Sequence, residues 1–171
     1  MADLSAIFGS LLALGLAFPG LLTAVWLLFP ATVERARVRL DHTPWLCFWL
    51  GGVLVALLSI PVVILLAIPA GASRLAGAAL IAVALTVATL GAAGLCAKMA
   101  GHLSARSAGL SPAGAFARSA IALELAAFFP LVGWFIVLPL AVVLALGATA
   151  FALLRWLPKT QPALAQQAAG V

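Results

Sequence analysis

Side chains able to do chemistry are few and widely spaced in this chain: four carboxylates, nine Lys or Arg, two His and two Cys in 171 residues. Glu124, in the run IALELAAFFP, is the acid set deepest among apolar neighbours. An ionisable group at such a place in a membrane is costly to keep, so it is a candidate for carrying a proton or coordinating a cation. No second carboxylate, Lys or His lies one helical turn away, and Arg118 falls on a different helical face. Glu124 is therefore expected first as a structural acid, paired with another helix or subunit or held neutral by a hydrogen bond, with ion handling as the alternative. His42 and His102 each fall at a predicted membrane edge. Axial ligation of haem or a pigment needs a ring projecting into a bundle from within a helix, so both are expected to be solvated or lipid-facing. Cys47 and Cys96 lie far apart inside apolar stretches, without metal-ligand or CxxC spacing, and read as small packing residues. Ser and Thr are isolated along apolar runs, and no nucleophile elbow, zinc-protease motif or phosphate loop is present. The reading is non-enzymatic, with no catalytic, cofactor or metal site and no cofactor.

Arg35, Arg37 and Arg39 form the densest group of cations, in ATVERARVRLDHTP. They read as a docking surface for anionic lipid or an acidic partner, or equally as a topology signal. Val33, Ala36 and Leu40 recur on one face of this stretch and Glu34/Arg37 have favourable helical spacing, so a helix lying at the membrane surface is plausible.

The elements that must position these groups follow from composition. Hydrophobic residues make up 66% and charged residues 8% of the chain, with a mean hydropathy of +1.28. Soluble domains carry about 25% charged residues, and a core of this size could not hide so much apolar surface from water. Lipid is the expected solvent, and an all-α, polytopic integral membrane protein the expected fold. The net charge of +5 comes from basic residues thinly spread between apolar runs, which does not suggest nucleic-acid binding.

Five runs read as a single transmembrane domain over residues 1–157: spans at about 4–29, 45–69, 75–99, 112–129 and 134–157, with the basic stretch 31–44 between the first two and a polar tail at 158–171. The start of the chain lacks the basic region of a secretory signal, so the first run is expected to be a retained span. Pro19 is expected to kink it, and Pro61 to interrupt the second span. GHLSARSAGLS is expected as a polar loop, with Ser111 as N-cap and Pro112 at the first helical position. Run 112–129 is barely long enough to cross and is re-entrant in a four-span alternative. With five spans, eight of the nine basic residues share one side and only Arg74 faces the other, which places the N-terminus outside and the C-terminus in the cytoplasm. The five Trp residues fall near predicted span ends, as an aromatic belt does. In the third span Gly77, Gly91 and Gly94 leave surfaces small enough for close helix approach, within the chain or with a partner.

LLSIPVVILLAIPAG, a Gly/Ala-rich span ending LGAAGLCAKMAGHL, and FPLVGW at 129–134 followed by LGATAF at 146–151 resemble the multi-span membrane domain of some bacterial bactofilin-like (polymer-forming cytoskeletal) proteins. The likeness covers roughly residues 50–155; the family's β-solenoid is absent and the first span is extra. The resemblance implies a bacterial inner-membrane scaffold and carries no catalytic residues. The expected role is a scaffold or accessory subunit whose partners are the bilayer and other membrane subunits. The alternatives are a small transporter or channel using Glu124, and a pigment- or haem-contacting subunit using His42 or His102.

Overall fold

The computed structural model describes residues 15, 17–107 and 109–154, and these form an all-helical bundle with no strand among them. Helix α1 (Ala17–Leu28) meets α2 (Pro30–His42) at a bend of 104°. Then come α3 (Pro44–Ala67), α4 (Gly71–Arg106) and α5 (Pro112–Phe128). Last is α6 (Gly133–Leu153), whose first turn, Gly133–Val137, is π-helical.

Proline sets the breaks around α2. A residue before proline is pushed out of the helical region, and proline itself fits the first turn of the next helix. Phe29 and Thr43 both show this, with φ/ψ of −125°/52° and −142°/62°. Pro19 lies near the start of α1, and the break in this run comes later, at Phe29; Pro61 sits inside an α3 that it does not interrupt, contrary to expectation. Helices of this kind tolerate proline where neighbouring groups satisfy the freed carbonyls.

The basic stretch is a helix lying on the bundle, with its Val33–Ala36–Leu40 face buried against α4 and α6. The polar loop expected from Gly101 begins instead after Arg106. A single glycine costs a helix only about 1 kcal/mol, and the chain turns at Gly109, at φ +98°. At 36 residues and about 1.5 Å rise per residue, α4 is about 54 Å long, well beyond the roughly 30 Å of a bilayer core. Ser111 caps α5 as expected, its Oγ accepting the Gly114 N–H at 3.1 Å.

Among the described residues α3, α4 and α6 are long and apolar enough to cross a membrane, and the bent pair α1–α2 would make a fourth. The expected count of five is not reached on that criterion, because α5 has 17 residues and the first run is described only in part. Trp156, Arg155, Lys159 and the polar tail lie outside the described residues. Trp45, Trp49 and Trp134 are exposed, but Trp26 is partly buried and stacks on Phe116 of α5.

Small residues let the helices touch. A Cβ on Gly51 of α3 would fall on the Val143 carbonyl of α6, and one on Gly147 would fall on the Cys47 carbonyl. Helix α4 meets α6 at Gly91, where a Cβ would strike the Ala145 carbonyl. Thr149, wholly buried, ties this crossing: its hydroxyl lies 3.0 Å from the Val87 carbonyl and 2.8 Å from Ala145 O. Thr149→Val keeps the shape and loses the donor, so a loss of about 0.5–1 kcal/mol is expected, the usual worth of an interhelical hydrogen bond in a membrane protein. Unfolding of the purified variant in detergent measures it, and an unchanged midpoint would count against the tie.

Candidate functional site

The polar groups converge at the end of the bundle where α2 lies across α4 and α6. Its apolar face holds it there, with Ala36 and Leu40 packed in one cluster with Cys47, Ala148, Phe151 and Ala152. Gly94 of α4 makes room: a Cβ there would come within 2.7 Å of the Ala36 Cβ.

The two flanks of α2 differ in charge. On the α4 flank, Arg37 donates from Nε and Nη2 to the Glu34 carboxylate at 2.7–3.1 Å. That hydrogen bond holds the Arg37 guanidinium above its ordinary pKa, against a smaller opposing effect of burial. Lys98 of α4 donates to the Leu40 carbonyl at 2.6 Å and lies 3.4 Å from Asp41. It thereby satisfies one of the carbonyls left open in the last turn of α2. Beside this flank a cleft of about 200 Å³ opens between helices, lined by Trp26, Glu34, Arg37, Gly101, Ser104 and Phe116 among others. Its wall is the Trp26–Phe116 stack, with ring centroids 4.8 Å apart.

On the other flank the Arg39 guanidinium lies over the Phe151 ring, 4.2 Å from its centroid. Its Nε is buried without a hydrogen-bond partner among the described residues. Arg35 precedes Arg39 by one turn on the same side. The three arginines of the expected docking group are thus divided, one neutralised within α2 and two not.

Glu124 is buried, at 6% exposure. It sits on the α5 face toward α1, where a Cβ on Gly15 would be 3.9 Å from Oε1. Among the described residues that oxygen has no hydrogen-bond partner, and with Arg118 exposed they bring no cation to it. His42 and His102 are exposed, and Cys47 and Cys96 are buried free thiols in separate clusters. Of the three glycines singled out, Gly91 lies against α6, Gly94 against α2, and Gly77 against Leu65 and Leu66 of α3. Gly51, Gly147 and Thr149 were not visible as contact residues, because their partners lie roughly 60 to 100 residues away in sequence and nothing local separates Gly51 from Gly52, which meets nothing. Lys98 could have been found: a cation one helix away from the only acid-bearing polar stretch is a natural partner for it.

Family models, curated proteins and solved structures yield no match to this chain.

Proposed function

We propose that this protein is embedded in a bacterial inner membrane, with its N-terminus outside and its basic end at the cytoplasmic face, and serves as a non-enzymatic scaffold or accessory subunit of a larger membrane assembly. The observation that carries this reading is the contrast between the inside and outside of the bundle. Inside, α6 meets α3 at backbone contact at Gly51 and Gly147 and meets α4 so at Gly91, and the cleft of about 200 Å³ that remains between the three is walled by Val, Leu, Ile and Ala with Ser59 as its one polar side chain, which is no lining for a polar path. Outside, only 6% of the most apolar window of α3 is buried. Val53, Leu57, Ile60 and Ile64 are exposed along it, an apolar flank for lipid or a neighbouring membrane protein.

The five-crossing topology is part of the proposal. Gly15 facing Glu124 and Trp26 facing Phe116 make α1 and α5 an antiparallel pair beside the three longer helices. Arg35, Arg37, Arg39, Lys98, Arg106 and Arg118 then share one end, and Arg74 of α4 lies at the other, the bias expected of a cytoplasmic side. Cysteines introduced at Ala70 and Ser107 test it with a membrane-impermeant maleimide. Ala70→Cys should react in intact cells and Ser107→Cys only after lysis; the reverse pattern inverts the topology.

For the scaffold role, the protein should elute in mild detergent within a larger complex of fixed stoichiometry. Elution of the chain alone, at every detergent and salt condition that preserves its fold, would count against it. A second reading rests on the unpartnered Glu124 oxygen: cation or proton movement through liposomes that disappears in Glu124→Gln would replace the scaffold with a transporter.

A further inference from the structure

Charge on α2 is distributed in a way that selects a ligand. Arg37 is spent on Glu34 at 2.7 Å, and Lys98 on Asp41 and the Leu40 carbonyl. Arg35 and Arg39 make no ion pair or hydrogen bond among the described residues. Arg39 is also held in place: its guanidinium lies on the Phe151 ring, and its Nε, though buried, is left without an acceptor. A guanidinium held over a ring face is anchored there without using its N–H donors, and its fork matches two oxygens of one tetrahedral anion.

The height of this pair matters as much as its charge. Helix α2 leads through Thr43 directly into α3, whose 24 residues span about 36 Å. That is slightly more than the roughly 30 Å hydrocarbon core, so with α3 crossing as proposed above, the junction with α2 falls in the headgroup layer and brings Arg35 and Arg39 within reach of lipid phosphates. The last turn of α6, which contributes Phe151, ends at the exposed Leu153, and the exposed Leu154 follows it, an apolar patch where acyl chains can lie.

We propose that Arg35 and Arg39 bind the phosphodiester of an anionic phospholipid, with the Arg39 fork on the phosphate oxygens, Arg35 supplying the second charge, and Phe151 fixing the fork. The site uses two of the three arginines and leaves Arg37 out. It rests on the membrane location proposed above. A chain found in the aqueous phase on detergent phase separation would fail that reading, whereas a membrane-embedded chain indifferent to lipid charge would fail this one alone.

The test is native mass spectrometry of the purified full chain, titrated with phosphatidylglycerol and, separately, phosphatidylcholine. The wild type should retain phosphatidylglycerol in preference. Arg35→Gln and Arg39→Gln should each weaken that retention roughly fivefold, and the double variant about thirtyfold, as expected for about 1 kcal/mol per arginine near an anionic surface. Arg39→Lys keeps the charge but loses the fork, and should fall between wild type and Arg39→Gln. The charge-neutral pair Glu34→Gln/Arg37→Gln should bind as wild type does. Should Arg39→Gln fail to fold, Arg35→Gln and the Glu34/Arg37 pair still decide the matter. Equal retention of both lipids, a silent Arg35→Gln, or an equal loss in the Glu34/Arg37 pair overturns the site. Binding of an acidic peptide in place of the lipid, lost in the same variants, would assign the two arginines to a protein partner and likewise overturn it.

Discussion

Gly147→Ala in α6 should destabilise the protein by about 3 kcal/mol or more, while Gly52→Ala in α3 should stabilise it by up to about 1 kcal/mol. Both changes add one methyl group to a helical glycine, and both gain the same helix propensity. They differ in what the methyl meets. At Gly147 it falls on the Cys47 carbonyl oxygen, and at Gly51 on the Val143 carbonyl oxygen. Main-chain atoms in the middle of a helix cannot rotate aside, so α3 and α6 must part. Parting loosens the cluster of Ala36, Leu40, Cys47, Ala148, Phe151 and Ala152, and with it the seat of α2. At Gly52 nothing lies within 4 Å. Gly77 is intermediate, since its methyl would meet only the Leu65 and Leu66 side chains at 3.2–3.3 Å, which can shift. Thermal unfolding of the three alanine variants in one detergent ranks them, and equal midpoints for Gly147→Ala and Gly52→Ala would refute the contact at the α3–α6 crossing.

Glu124→Leu should raise stability by about 1–3 kcal/mol, the usual cost of leaving a buried polar group unsatisfied. The side chain is buried on the α5 face turned to Gly15, and its Oε1 has nothing to bond among the described residues. Leucine has a similar volume and no such need. Glu124→Gln should change stability less, because an amide in the same place still lacks a partner. The sign carries the information. A loss of stability in Glu124→Leu would mean that the carboxyl has a partner in the assembled protein, and a gain accompanied by loss of ion flux would mean that stability is sacrificed for transport.

Much of the helix count and the local punctuation could be read from single residues. Ser111-Pro112 announces α5, and Phe29-Pro30 and Thr43-Pro44 delimit α2, because capping and the steric demand of proline act between neighbours in the chain. The apolar face of α2 was equally legible, since Val33, Ala36 and Leu40 repeat at helical spacing. What that face rests on was not. A surface helix and one seated on α4 and α6 have the same periodicity, and Gly94, which makes the seat, is one glycine among several in its helix. Gly101 pointed the wrong way: a glycine in a polar stretch reads as a loop, yet the helix runs through it to Arg106. The arginines make the same point about the site. Arg35, Arg37 and Arg39 are equivalent by composition; the helical spacing of Glu34 and Arg37 singles out the one that is neutralised, whereas the seat of Arg39 over Phe151, 112 residues away in sequence, has no such local signal.

The π turn at Gly133–Val137 gives α6 a phase. At its start Gly133 is pressed on the Ala126 and Ala127 carbonyls of α5, and further along Gly147 is pressed on α3. Both ends are therefore fixed in rotation, and the count of residues between them has to match. Leu138 N–H closes the turn on Gly133 O, five residues back instead of four, just ahead of Pro139, which has no N–H to give. The turn thus works as a vernier with one residue of slack. Without it the two glycine faces would be out of step by one residue, about 100° of helix rotation, and α6 could satisfy either the α5 turn or its crossings with α3 and α4, but not both.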